Sequence, residues 1–485
     1  MKTKPISAIS LLLLGAIMTN ALISCGSTDP VDGTSDYSGT TSEQVTTEAP
    51  EIVRDFEEKT LRVYMTSDYI YQIKADEETG DVSNDAIFRR NQKITEKYNF
   101  KIEPIIAGDT GTFNVWNSLA NSVMAGDDAY DLAGHYAFNY VDALSKGKTL
   151  VNWREVPNIN LDEPWWAKEI NDGTTINGKL YGISGYLSTT LMQMTYGIYF
   201  NDKLIGNYGL SDMSLYKTVE DGKWTIDYLA TIVKTMYSDL NGDGKRDISD
   251  QYGFASMPDN SPDIFLAAFD QPITSHDKDG YLSVVVNTEK TADIINKVLN
   301  LYYNNEGAVN LETLTSYVTN GANKYFANGQ LVFCPSTFLA AFSTYRDMDS
   351  EYGILPPPKW DEEQEKYYSH VQDKFTAWGI PVTATDLDFI GFVTDALCRE
   401  TYETVYPIFY DIALKDKYSK DQNAAKMVDL IMDGVTFDAG WIFGQKILGD
   451  IQVCVRKAIK NNDPNFASAY ASTVMKLDDL VEMYK

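Results

Sequence analysis

Leu61-Arg62-Val63-Tyr64-Met65-Thr66, Phe100-Lys101-Ile102-Glu103-Pro104-Ile105 and Tyr130-Asp131-Leu132-Ala133-Gly134-His135-Tyr136 are the three runs on which the fold turns. Each carries β-branched or aromatic residues and predicts a strand. Between the first two, Ile87, Phe88, Asn91, Ile94 and Tyr98 recur near the helical period, with Asn84 as a candidate cap. Phe113 to Ala125 predicts a second helix before the third strand. Strand, helix, strand, helix, strand at this spacing implies a mostly parallel sheet with right-handed crossovers. Ligands of such sheets sit beyond the carboxyl ends of the strands. That singles out the loops holding Ser67, Asp68 and Tyr69, and His135, Tyr136 and Phe138.

Towards the C-terminus the α/β alternation continues. Leu180–Ile183, Thr195–Phe200, Tyr252–Ala255, Gly329–Pro335, Tyr352–Leu355 and Trp378–Val382 predict strands. Asp279-Gly280 predicts a hairpin turn ahead of Tyr281–Val286. Thr225–Tyr237, Thr291–Asn304 and the apolar Thr337–Thr344 predict helices, and the last third is largely helical, ending in Ala467–Tyr484.

Towards the N-terminus the chain changes character. Lys2 and Lys4 precede an apolar run of 13 residues, Ile6 to Met18, too short to cross a bilayer of roughly 30 Å. Leu22-Ile23-Ser24-Cys25 follows and resembles the bacterial lipobox. The resemblance implies removal of residues 1–24 and diacylation of Cys25, with two acyl chains worth about 0.8 kcal/mol per buried methylene. The expected address is the outer face of a bacterial cell membrane. Residues 26–58 hold nine acids against one base, Arg54, and read as a disordered acidic tether.

The 485 residues carry 41 Lys and Arg against 69 Asp and Glu, a net charge of -28. Such a surface repels nucleic acid and anionic lipid. The 32 Tyr outnumber the 20 Phe, as expected where rings keep a polar edge near water. Besides Cys25 there are Cys334, Cys398 and Cys454. Their number and spacing fit neither a disulfide framework nor a zinc motif; a Cys398–Cys454 bridge and three free thiols both remain open.

From about residue 60 onward the chain resembles the family 1 extracellular solute-binding proteins, the carbohydrate receptors of ABC importers. The resemblance rests on the order of several segments: Asn91–Tyr98, Asn160–Trp166, Asn177–Gly182, Tyr199–Leu204, Asp239–Phe254, and Tyr352–Pro356 followed by Gly379–Pro381. It implies a two-lobed, type II periplasmic-binding-protein-like α/β fold, each lobe a mostly parallel sheet flanked by helices, with the ligand cleft between the lobes. Lobe 1 would comprise 59–195 and about 372–425, lobe 2 196–371 and about 426–485. Tyr196–Asn201 and 372–383 would be the crossovers, with a last return near 415–435. The implied function is capture of a sugar or oligosaccharide by a monomer and its delivery to ABC permease subunits. The implied contacts are Asp68, Tyr69, His135, Tyr136, Thr337, Phe338, Trp378 and Trp441. Phe338 also reads as core, His135 as an interior histidine, and Trp165 and Trp166 as surface packing.

Asp239-Leu240-Asn241-Gly242-Asp243-Gly244-Lys245-Arg246-Asp247-Ile248-Ser249-Asp250 matches the 12-residue calcium loop. Asp239, Asn241, Asp243, Asp247 and Asp250 would offer side-chain oxygens and Lys245 its carbonyl. Asp250 replaces the usual Glu and is one methylene shorter. The loop leads into a strand, so a structural Ca2+ is expected, with no cofactor needed for activity; a metal-free acidic turn is the alternative. No Walker A, H-E-x-x-H or G-x-S-x-G motif is present. The expectation is therefore a non-enzyme. The alternatives are an anchored glycoside hydrolase, since carboxylates abound, and a surface glycan-binding lipoprotein with no transporter.

Overall fold

Most of the expected strands form, but Leu180–Ile183 contributes only the isolated bridge of Ile183 to Trp378. The computed structural model describes residues 54–108, 114–256, 262–314, 321–418 and 422–485. Among these the strands are β1 (Lys59–Met65), β2 (Phe100–Ile106), β3 (Leu132–Tyr136), β4 (Tyr196–Asn201), β5 (Tyr252–Ser256), β6 (Thr274–His276), β7 (Leu282–Val284), β8 (Ala308–Asn310), β9 (Leu331–Thr337), β10 (Tyr352–Leu355), β11 (Ser369–His370), β12 (Thr376–Gly379) and β13 (Val435–Thr436). They form two principal sheets, ordered β12-β3-β1-β2 and β10-β4-β9-β5-β8. β1 pairs in parallel with β2 and β3, and β5 with β8 and β9. The antiparallel pairs, β12 on β3, β4 on β9 and β10 on β4, involve the strands next to the lobe crossings. Each sheet is thus mixed: parallel from β3 to β2 in the first and from β9 to β8 in the second, and antiparallel beyond. The two-lobed α/β fold expected from the sequence is the one observed.

The helices Val82–Tyr98 and Val115–Ala125 connect β1 to β2 and β2 to β3. The first begins earlier than its apolar period suggests. Asp81, not Asn84, is its cap, accepting the N–H groups of Ser83 and Asn84. All six residues of β4 are buried, as suits a strand covered on both faces. β6 and β7 form the hairpin expected at Asp279-Gly280. The helix expected over Thr337–Thr344 is present but shorter: Thr337 ends β9, and Leu339–Phe342 is helical.

The crossings lie side by side. Thr195 bridges Val371 in antiparallel sense, and the Gln372 N–H donates to the Met194 carbonyl at 2.9 Å. β11 runs parallel to β13, and the Phe338 N–H donates to the Thr195 carbonyl at 2.9 Å. β4 belongs wholly to the second sheet and β12 wholly to the first. The chain therefore changes lobes in the short segments beside these strands, not along them. Short hydrogen-bonded connections of this kind suit a hinge, where a few residues absorb the dihedral change.

Three further differences have physical causes. The expected tether is packed by its last residues: Phe56 is buried, 5.0 Å from Phe389 and 5.4 Å from Phe392, and Arg54 Nη1 donates to Asp388 at 2.7 Å. One aromatic docks the end of an otherwise acidic run. The expected terminal helix is broken into Phe466–Ala471 and Leu477–Met483. Between them the chain presses on Gly449, where a Cβ would lie 2.8 Å from the Val474 carbonyl oxygen. The C-terminal segment also touches both lobes. Ile451–Lys460 packs on Glu289–Tyr303, whereas the buried Tyr484 hydroxyl lies 3.2 Å from that of Tyr140. Cys334, Cys398 and Cys454 are free thiols. Residues 1–53, including Cys25, lie outside the described residues.

Candidate functional site

The carboxyl ends of β1 and β3 carry a cluster of rings. Tyr69 is buried and meets Tyr136 edge-on at 4.9 Å, with His135 at 5.7 Å and Tyr71 at 6.5 Å. The Tyr69 hydroxyl donates to the Lys374 carbonyl at 2.6 Å, and the Tyr71 hydroxyl to Gln193 Oε1 at 2.6 Å. His135 is fully buried, its Nδ1 3.5 Å from Thr66 Oγ1. Phe138 stacks on Tyr136 at 5.6 Å and 20°. Burial raises the Tyr71 hydroxyl to about 12. Burial, and then the charge of the exposed Asp68, raises that of Tyr136. The sequence-predicted Asp68, Tyr69, His135 and Tyr136 are therefore brought together.

Beside this cluster lies a solvent-open cavity of about 430 Å³. Lobe 1 contributes Asn114, Asn117, Phe138, Asn139 and Asp142; the crossing segment contributes Gln372, Asp373 and Lys374; the C-terminal segment contributes Gln445, Lys446 and Arg456. Ten of these eleven side chains are polar, and Phe138 is the one apolar face. Residues 109–113 and 257–261, which precede Asn114 and the helix Asp263–Ala268 in the chain, lie outside the described residues.

Charges around the cavity are mostly matched. Lys446 Nζ lies 3.1 Å from Asp142 Oδ1, and Asn117 and Asn139 donate to Asp142 Oδ2 at 3.3 and 3.5 Å. Arg456 clasps the buried Asp263, with Nε 2.8 Å from Oδ1 and 3.1 Å from Oδ2. Burial still pushes the Asp263 carboxyl up to about 6, against the pull of Arg456. Asp373 is held up to about 7, by desolvation first and by Asp263 in addition, with Arg456 opposing. His370 is pushed down to about 3 by burial and by Arg456. Its ring lies 4.7 Å from Trp441 and 5.8 Å from Tyr196.

None of the eight ligand contacts expected from the sequence lines this cavity; Phe138, their neighbour, does. Trp378 needs correction. It is fully buried in lobe 1, its indole lying where a Cβ on Gly134 would be 2.4 Å away, and its Nε1 donates to Ser188 at 2.8 Å. Phe338 is likewise fully buried. Thr337 pairs with Tyr196 at the crossing, and Trp441 is buried behind Arg456, whose guanidinium lies 5.9 Å from its ring. Trp165 and Trp166 both donate to Asp395 Oδ1, at 2.9 and 3.0 Å. Trp166 is part of the core, and the half-buried Trp165 packs against it. Sequence reasoning missed the amides and charges of the cavity; the one available signal was that Gln372–Lys374 stand at the expected crossover. Among the described residues no three His, Cys, Asp or Glu side chains converge on a common point that would hold a metal ion. The acidic loop Asp239–Asp250 precedes β5 in lobe 2, and none of its residues lines the cavity.

No protein-family model matches the chain, and no curated protein matches it. Solved structures share its fold. A cyclo/maltodextrin-binding protein complexed with maltotetraose superposes with a TM-score of 0.55 at 15% identity, over 88% of this chain and 96% of that one. The galacto-N-biose-/lacto-N-biose I-binding protein of an ABC transporter from Bifidobacterium longum, in complex with lacto-N-biose, superposes with a TM-score of 0.57 at 13% identity, over 88% and 98%.

Proposed function

We propose that the chain is a solute-binding protein that captures a neutral sugar or oligosaccharide between its lobes and delivers it to the permease of an ABC importer. The observation that carries this reading is the cavity of about 430 Å³ lined by amides, paired charges and one aromatic ring. Planar amides and carboxylates take sugar hydroxyls in donor–acceptor pairs, and a ring covers an apolar C–H face. Asp142 with Lys446, and Asp263 with Arg456, already balance one another, so these charges are engaged within the protein and not left for an ionic ligand. The fold shared with two proteins solved with oligosaccharides supports the same reading. No described helix is long and apolar enough to cross a membrane. The lipobox-like segment ending at Cys25 supports attachment through an N-terminal lipid, and the protein acts as a monomer.

Titration of the protein with a panel of neutral oligosaccharides, followed calorimetrically, tests this. Saturable binding of at least one glycan, without new reducing ends, is the expected result. Binding of peptides and of no glycan overturns the sugar assignment. A second reading, an anchored glycoside hydrolase, draws on Asp373, a cavity carboxyl held up to about 7, as a general acid requires. Accumulation of reducing ends from excess glycan favours it over the receptor. Stimulation of a reconstituted permease–ATPase by the loaded protein separates the importer from a capture lipoprotein.

A further inference from the structure

The loop Asp239–Asp250 is absorbed by none of this chemistry. Its second half is fixed. Arg246 stacks on Tyr237 at 4.3 Å and donates to the Glu306 carbonyl at 2.7 Å, and the Tyr252 hydroxyl donates to the Asp247 carbonyl at 2.9 Å. Gln330 Nε2 donates to the Ile248 carbonyl at 2.6 Å. Gly244, the sixth position, has φ +72°, the left-handed turn that a calcium loop demands there. The first half, through Asn241 and Asp243, is exposed.

Asp250, the twelfth position, is 0% exposed. Its Oδ2 accepts the Tyr237 hydroxyl at 2.9 Å and the Asp247 N–H at 3.0 Å. Its Oδ1 is buried with no hydrogen-bond partner. The same Tyr237 hydroxyl lies 3.3 Å from the carbonyl oxygen of Lys245, the seventh position. One hydroxyl thus bridges this carboxylate and the backbone oxygen that a calcium loop supplies, and the Asp247 N–H holds the carboxylate on the loop. A buried, unpartnered carboxylate oxygen costs free energy unless a cation or donor meets it.

We propose that Asp239–Asp250 binds one Ca2+, with Asp250 Oδ1 and the Lys245 carbonyl as the preformed half of the site and Asp239, Asn241 and Asp243 closing on the ion from the exposed half. Asp247, at the ninth position, takes part through water. In the described arrangement Asp239 accepts the N–H groups of Gly242 and Gly244, and Asp243 that of Lys245. Coordination needs these side chains to draw inward, while the half anchored on β5 stays in place. The ion then staples the lead into β5, the strand that lies between β8 and β9. Affinity falls in the weak range of extracellular modules, roughly 0.1–1 mM.

The test uses the full chain after chelator treatment. Addition of 10 mM CaCl2 is expected to raise the thermal midpoint by about 2–4 °C, with little effect of MgCl2 at equal ionic strength. Tb3+ should give luminescence sensitised by Tyr237 and be displaced by Ca2+. Asp250→Asn should abolish both signals, but it alters a buried group. Asp243→Ala, on the exposed half, therefore decides: its midpoint without calcium should equal that of the parent, and its calcium response should vanish. No shift in the parent, an equal shift with Mg2+, or an undiminished response in Asp243→Ala overturns the proposal.

Discussion

The two walls of the cavity are built on opposite principles. On the lobe 1 side, Asn117, Asn139 and Phe138 are backed by Tyr136 and Tyr69, whose rings pack and whose polar atoms find partners. On the other side, Asp373 and Arg456 are backed by buried Asp263 and His370, whose ionisation is opposed by burial. The first wall rests on packed rings and should tolerate change. The second holds charges whose desolvation is offset only by one another, and removing a partner there exposes the full cost.

Arg456→Met breaks this contrast most severely. The side chains of Arg456 and Asp263 are 18% and 4% exposed, so the substitution strands a buried carboxylate at a cost of about 3–5 kcal/mol. A large fall in the denaturant midpoint and a further rise of the Asp263 carboxyl are expected, read by equilibrium unfolding and by carbon NMR of labelled aspartate. A midpoint within error of the parent would place Asp263 in contact with water and remove the distinction between the walls.

The pH dependence sharpens the contrast. A carboxyl whose folded value lies above its unfolded one gives stability that is complete below the usual 3.8 and is lost as pH rises through about 7, the value for Asp373. His370 acts in the opposite sense: held down to about 3, it costs stability as pH falls below 6.5. Asp373→Asn should flatten the loss on the rising side and leave the loss at low pH, measured as unfolding midpoints across a pH series. An unchanged profile would mean that Asp373 titrates as a solvated carboxylate.

On the first wall the effects shrink. Tyr69→Phe keeps the ring contacts and removes the hydroxyl that donates to the Lys374 carbonyl at 2.6 Å and is hydrogen-bonded to Tyr136. A loss of about 0.5–1.5 kcal/mol is expected in equilibrium unfolding. Because the bond to Lys374 holds the backbone of a cavity residue, glycan affinity should fall modestly with it. A loss several times larger would make the ring cluster the stiffer of the two supports.

The unequal legibility of fold and site has the same origin. β1, β2 and β3 and the helices between them were readable because burial imposes a period on apolar residues, and the period survives in one sequence. Cavity side chains come from four separate stretches, and polar residues facing water obey no period. Aromatic residues misdirect for a further reason. Tyr and Trp carry an apolar body and one polar atom, which suits a cleft and a core equally well. Trp378 is the clear case: its indole fills lobe 1 because Ser188 receives its N–H. That Asp68 and Tyr136 stand together at the carboxyl ends of parallel strands was legible from topology alone, but neither lines the cavity. Arg456, more than three hundred residues further on, was not legible.

The mildest substitution separates recognition from stability. Asn117 is half-buried and donates to Asp142 Oδ2 at 3.3 Å, but Asp142 keeps Lys446 at 3.1 Å and Asn139 at 3.5 Å. Asn117→Ala should therefore leave the unfolding midpoint nearly unchanged, within about 0.5 kcal/mol. As a hydroxyl partner on the cavity wall, its amide contributes to ligand binding alone. Calorimetric titration should then show affinity for the best glycan weakened by about 3- to 10-fold, the equivalent of one hydrogen bond. An unaltered affinity for every glycan that binds would move recognition off this wall and onto the Asp373 side, where structure and ligand compete for the same charges.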